Sequence, residues 1–150
     1  MAKEFYKGLD TFETWPNITG SNPMSLSYDD VLLAPQQTSI SSRSEIDPSV
    51  TFGPYTLTLP VISAPMDTIT GEKMVREMAR LGGIGALPRG NSSTFSEVLA
   101  ICKRLVKDNV PCLYSVGLKN GMDQAAQLVK SGAQMILVDV ANGAMQQSKE

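Results

Sequence analysis

The chain contains no histidine. That single absence removes His-dependent nucleophile triads, the common zinc sites and imidazole general-base chemistry. Cysteine is scarce: Cys102 and Cys112 are the only two, and their spacing is not that of a metal-ligand pair. Cys102 falls in a helical pattern and Cys112 in a strand pattern, so both are expected as buried, reduced thiols. No apolar run approaches the roughly 18 residues that a membrane span needs. Neither sign of charge dominates: 13 basic against 15 acidic residues leave a net charge of −2. A basic face for nucleic acid is therefore not expected. Residues Met1 to Asp10 are polar, carry Lys3 and Lys7 and lack the apolar core of a secretory signal, so Asn17-Ile18-Thr19 reads as a chance sequon. The expected compartment is soluble, reducing and cytoplasmic.

What is present is the composition of a folding chain. Of 150 residues, 42% are apolar and 19% charged, close to the globular average and enough to build a core. Residues 1–24 show no sustained period and hold the breakers Gly8, Pro16, Gly20 and Pro23, which predicts an irregular arm. Its aromatics, Phe5, Tyr6, Phe12 and Trp15, are expected to cover apolar surface. Residues 25–150 read as one continuous domain with no internal linker.

From residue 55 onward the pattern alternates. Leu57 to Ser63 reads as a buried strand, and Gly71 to Leu81 as a helix stopped by Gly82-Gly83. Ile84 to Leu87 is a second strand. Residues Asn91 to Thr94 offer N-caps to a helix whose apolar face runs through Phe95, Val98, Leu99, Cys102, Leu105 and Val106. Pro111 to Val116 is a third strand, and Gly121 to Ser131 a helix with Gly132 at its C-terminal cap. Met135 to Asp139 is a fourth strand, and a further helix is expected from Gln146. Strand and helix alternating at this pitch predict parallel strands joined by right-handed crossovers. Two architectures remain open on this ground: a doubly wound sheet, and a (βα)8 TIM barrel. A barrel takes roughly 250 residues, so four units would be its first half.

In both architectures function gathers beyond the carboxyl ends of the strands. Four loops follow those ends: Ser63 to Thr68, Pro88 to Asn91, Gly117 to Gly121 and Asp139 to Gly143. Arg89 and Lys119 suit a phosphate or carboxylate, or are simply solvated charges. Asp139 suits a ribose hydroxyl pair, or caps a helix. Met66 suits the face of a flat base, or is a core methionine. Asp67 with Thr68 suits the cap of the next helix. Gly82-Gly83-Ile84-Gly85 lacks the GxGxxG spacing and precedes a strand, so it is a weak phosphate-loop signal. Asn142-Gly143 is first of all a turn.

Taken together, these segments resemble the IMP dehydrogenase/GMP reductase family over roughly Ser25 to Ala144. Tyr28 to Pro35 looks like the family's opening motif. Ser42 to Asp47 with Val50 to Gly53 is similar to the stretch that leads into the first barrel strand. Val61 to Thr70 looks like the first-strand loop, and Gly82 to Gly85 and Val138 to Gly143 fall where the second and fourth strands belong. The order and spacing of the set are more specific than any one motif.

The resemblance implies a (βα)8 barrel, a homotetramer, and chemistry at C2 of a purine mononucleotide. In IMP dehydrogenases a cysteine attacks C2, hydride passes to NAD, and water hydrolyses the thioimidate. In GMP reductases a cysteine displaces ammonia and NADPH supplies hydride. The family pattern implies that Ala64 and Met66 flank the purine and that Arg89 lies near the nucleotide. It implies that Asp139, Val140, Ala141, Asn142 and Gly143 face the nicotinamide half of the dinucleotide. The family's cysteine lies on the loop after the sixth strand, past residue 150, as do its phosphate loops, its flap and its monovalent-cation loop. Neither Cys102 nor Cys112 can replace that cysteine, so the 150 residues alone are expected to be inactive. Pro88 stands where a histidine is common, and no regulatory CBS pair interrupts the chain. Ser63 to Thr68 and Gly82 to Gly85 lean toward IMP dehydrogenase, whereas Asp139 to Gly143, Ser42 to Glu45 and the missing insert lean toward GMP reductase. IMP dehydrogenase is placed first and GMP reductase second. A non-catalytic half-barrel that binds nucleotides is the third alternative.

Overall fold

A computed structural model describes residues 27, 29, 31–89 and 94–143. The arm at 1–24, Tyr28 and Asp30 of the opening motif, the caps Asn91 to Ser93 and the helix expected from Gln146 lie outside them. The chain divides into two compact units, Met1–Ile40 and Ser41–Glu150. In the first, the described residues form neither helix nor strand, and Leu32 and Leu33 are exposed.

The second unit begins with a single 3-10 turn, Arg43–Glu45, capped by the Ser42 hydroxyl, which accepts from the Ser44 N–H at 3.3 Å. An antiparallel hairpin follows, β1 (Val50–Phe52) and β2 (Tyr55–Leu57), turning at Gly53 and Pro54. Then come β3 (Ile62–Ser63), α1 (Glu72–Arg80), β4 (Ile84–Leu87), α2 (Phe95–Lys107), β5 (Cys112–Val116), α3 (Gly121–Lys130) and β6 (Ile136–Val138). Strands β3 to β6 form a four-stranded sheet in sequence order, every pair parallel, with an open edge at β3 and another at β6. This is an α/β fold with a parallel sheet, and the barrel that the resemblance implies is not closed within these residues.

One sequence expectation is corrected. Residues 57–63 are not one buried strand. Leu57 ends the hairpin and is buried, whereas Leu59, Val61 and Ile62 are exposed. Between them the chain is held by the Leu59 N–H donating to the Gly82 carbonyl at 3.1 Å. Pro60 has no N–H to offer a ladder, so the run breaks into two short strands in two sheets. The hairpin was not anticipated, because its strands are three residues each and supply little periodic signal.

The alternation of side chains across the sheet produces two apolar layers. On the helix side, Leu87, Cys112, Tyr114 and Val116 meet Val75 of α1, Val98, Cys102 and Leu105 of α2, and Leu128 of α3. On the other side, Ile84, Ala86 and Leu113 meet Leu57, with Phe52 and Tyr55 of the hairpin and Met135 and Leu137 packed against them. Strands β4 and β5, central in the sheet, are buried at every position. This is the both-faces burial expected of a parallel sheet. The edge strands are not: Ile62 is 47% exposed. Gly85 lets α1 approach, because a Cβ there would lie 2.8 Å from the Val75 Cα.

All three helices end in the same way. The residue after the C-cap adopts left-handed backbone (Gly82, Asn109, Gly132), and the following N–H donates back to the third helical carbonyl from the end. This double hydrogen bond terminates each helix and turns the chain directly toward its next strand. Across the outer surface, Glu72 of α1 accepts from Arg104 of α2 at 2.5 Å and from Arg76 at 2.8 Å, and Arg76 also reaches Asp108 at 2.9 Å.

Candidate functional site

Parallel strands deliver all their following loops to one end of the sheet. The loop after β3 is pinned from within. The Thr70 hydroxyl is buried, donates to the Ala64 carbonyl at 2.6 Å and lies 2.9 Å from the Ser63 hydroxyl. The Met66 carbonyl accepts the N–H groups of Ile69 and Thr70. These bonds close a tight loop that leaves Ala64 exposed and Met66 52% exposed. Met66 is therefore not a core methionine. Asp67 and Thr68 do not cap α1: the N-cap is Gly71, with no side-chain hydrogen bond. A hollow of about 90 Å³ separates this loop from the next, between Asp67, Thr70, Leu87 and Pro88.

The loop after β4 carries buried Pro88 and exposed Arg89. The Arg89 side chain runs across the end of β5. A Cβ on Gly117 would lie 2.6 Å from its Nη1. Beyond Gly117 the guanidinium meets the carboxylate that follows β6, with Arg89 Nε 3.8 Å from Asp139 Oδ2. Asp139 is itself placed by its N–H, which donates to the Val116 carbonyl at 2.9 Å and extends the β5–β6 ladder. Three neighbouring strand ends thus share one charged pair. Both partners are partly exposed, so the pair adds little to stability, of the order of 0–1 kcal/mol. Its consequence is chemical: a cation and a carboxylate, side by side and open to solvent, suit a ligand with an anionic group and a hydroxyl pair.

Val140 is half-buried after Asp139, and Ala141, Asn142 and Gly143 are exposed. Lys119 is exposed in the loop before α3, where Asn120 takes left-handed backbone at the N-cap. Of the sequence-nominated residues, Arg89 and Asp139 are brought into contact, while Ala64 and Met66 stand at the β3 edge of the same end. The sequence places Gly117 only within a strand-end loop. Its signal is a glycine directly after a buried strand, next to an arginine-bearing loop. A separate cavity of about 190 Å³ lies at the other end, against Tyr55, Asn109, Tyr114 and Gln134, where no strand-end loop reaches it.

The thiols stand apart from this site. Both are buried and unpaired in disulfides. Cys102 is on α2, where burial pushes its pKa up. Cys112 opens β5, and burial pushes its pKa up to about 12. Neither can supply a thiolate nucleophile near neutral pH. Among the described residues no group of His, Cys, Asp and Glu is disposed to hold a metal, and no helix is long and apolar enough to cross a membrane.

Parallel β-α units in sequence order, with an ion pair across their C-terminal ends, define an α/β protein of the barrel or doubly wound type. The chain belongs to the IMP dehydrogenase / GMP reductase domain family, which matches residues 25–150. It is 34% identical over 119 residues to a GMP reductase of Streptococcus pneumoniae (strain CGSP14), covering 77% of this chain and 35% of that protein. It is 33% identical over 119 residues to a GMP reductase of Lactococcus lactis subsp. cremoris (strain MG1363), with the same coverage. The fold matches the crystal structure of inosine 5′-monophosphate dehydrogenase from Legionella pneumophila with a TM-score of 0.68 at 35% identity, covering 83% of this chain and 38% of that one. The chain spans about a third of the length of these relatives.

Proposed function

We propose that this chain supplies the first four β-α units of a (βα)8 purine-nucleotide oxidoreductase acting at C2 of the base. The observation that carries the reading is the Arg89–Asp139 pair, which spans the ends of β4, β5 and β6 in a chain of this family. Ala64 and Met66 flank the purine, and exposed Met66 offers it a soft apolar face. Arg89 holds negative charge on the nucleotide. Asp139 accepts hydroxyls from the nicotinamide ribose, with Val140, Ala141, Asn142 and Gly143 lining that half of the dinucleotide. The partly exposed Asp139 carboxylate fits such a diol. Bound beside these residues, NAD would supply the hydride acceptor for C2.

IMP with NAD, giving XMP, is the first reading of the reaction. GMP with NADPH, giving IMP and ammonia, is the second; relatives at 33–34% identity carry the reductase name and the solved structure at 35% identity carries the dehydrogenase name. Both reactions need a nucleophile that these residues do not supply, since Cys102 and Cys112 are buried on the helix side of the sheet. We therefore also propose that the 150 residues alone turn over neither substrate. The active assembly is a cytoplasmic homotetramer.

The test follows absorbance at 340 nm with the full natural chain. A rise with IMP and NAD selects the dehydrogenase. A fall with GMP and NADPH selects the reductase. Neither signal, together with no binding of either nucleotide, would reject the reading. Turnover by the isolated 150 residues would reject their proposed inactivity.

A further inference from the structure

Ser115 has the one buried side-chain oxygen among the described residues that lacks a hydrogen-bond partner. The residue is 2% exposed. Its place in the fold is well defined. Within β5, Cys112, Tyr114 and Val116 face the helices, so Leu113 and Ser115 face the other side. Its register partner there is Leu137. Below it lies the apolar layer of Leu113, Ala86, Ile84 and Leu57. Alternation carried one residue past β5 puts Gly117 above it, and over Gly117 lies the Arg89 guanidinium.

A hydroxyl left unsatisfied in such a layer costs on the order of 1–3 kcal/mol, and alanine would avoid that cost. The chain keeps the polar group one layer beneath its charged pair. Successive same-face positions on a strand are about 6.6 Å apart. A water bonded to both groups spans roughly 5.5–6 Å. The two spacings are close enough for a single water to fit between the serine layer and the layer above.

We propose that Ser115 is a positioning residue: its hydroxyl holds an internal water that hydrogen-bonds Arg89 from below and fixes the guanidinium over Gly117 beside Asp139. The role is distinct from contact with the ligand. It rests on the proposed purine-nucleotide site only for its consequence, namely where the cation stands when the nucleotide arrives. An internal water of this kind needs a polar site with two or more partners, and here it has the hydroxyl below and guanidinium N–H groups above.

The test uses the full natural chain with Ser115→Ala, Ser115→Thr and Arg89→Ala. Without any ligand, the Arg89 Nε–H resonance is expected to be sharp and slowly exchanging in the native protein, broadened in Ser115→Ala and restored in Ser115→Thr. Affinity for IMP or GMP is expected to fall about fivefold in Ser115→Ala, to return in Ser115→Thr, and to fall no further when Ser115→Ala is added to Arg89→Ala. An unchanged Arg89 resonance in Ser115→Ala would overturn the proposal. So would a loss of affinity that persists in the Arg89→Ala background. If the native protein binds neither nucleotide, the proposed function fails, while the Arg89 resonance still decides the role of Ser115.

Discussion

Arg89 reaches Asp139 by crossing Gly117. The guanidinium lies where a side chain at 117 would otherwise begin, and its Nε stands 3.8 Å from Oδ2 of the carboxylate. Three strand ends meet in that one relationship.

Gly117→Ala tests it directly. The new Cβ would lie 2.6 Å from Nη1, but the obstructed atom is the far end of a flexible side chain. The arginine moves and the fold does not. Stability is expected to change by less than about 1 kcal/mol, while affinity for a purine mononucleotide falls. Thermal melting and calorimetric titration of the same sample separate the two effects. Equal affinity in both proteins would show that the lane over residue 117 is not needed.

At Gly85 the same substitution has the opposite outcome. A Cβ there meets the Val75 Cα and Cγ2 at 2.8 Å, and a helix backbone cannot rotate aside. Gly85→Ala is expected to lose about 1–3 kcal/mol by overpacking α1 against β4. Urea denaturation reads the loss.

Glu72 ties α1 to α2, and its contribution depends on pH. Arg104 first, and then Arg76, hold its carboxyl below the ordinary carboxylate range against the opposing effect of burial. Because the folded value is depressed, the contribution is fully present above the unfolded pKa and is lost as pH falls through the folded one. Glu72→Gln is expected to be less stable by roughly 0.5–1 kcal/mol at neutral pH, a size set by the partial exposure of the pair. Native and variant chains should converge in acid. Denaturation curves at the two pH values would contradict this if the gap persisted.

The thiols offer a chemical check on the site assignment. With Cys102 and Cys112 buried and their pKa values raised, the folded chain is expected to leave a disulfide reagent such as DTNB unreacted at neutral pH. In denaturant both thiols should titrate. Fast labelling of either one in the native state would reopen the question of a nucleophile within these residues.

Much of the fold was legible in the sequence because its central elements are locally consistent. Ile84–Leu87 and Cys112–Val116 are short apolar runs, buried at every position, and the helix between them carries a clear apolar face. Gly82 and Gly132 marked two helix ends. Asn109 performs the same turn but was not singled out, since asparagine is a weaker signal than glycine for left-handed backbone. The break within 57–63 was missed because hydrophobicity alone does not say which sheet a residue joins. Leu57 and Ile62 are alike in composition, but one packs under β4 and β5 while the other lies on an open edge.

The candidate site divides in the same way. Strand-end position in the sequence was enough to nominate Arg89, Lys119, Asp139 and Met66, and the family resemblance added Ala64 and Val140 to Gly143. That Arg89 meets Asp139, that Gly117 leaves the space, and that Ser115 lies beneath were decided only by the tertiary structure. The physical reason is that a local pattern sets the period and ends of each strand. The register between parallel strands, fixed by packing across residues distant in the chain, decides which ends stand side by side.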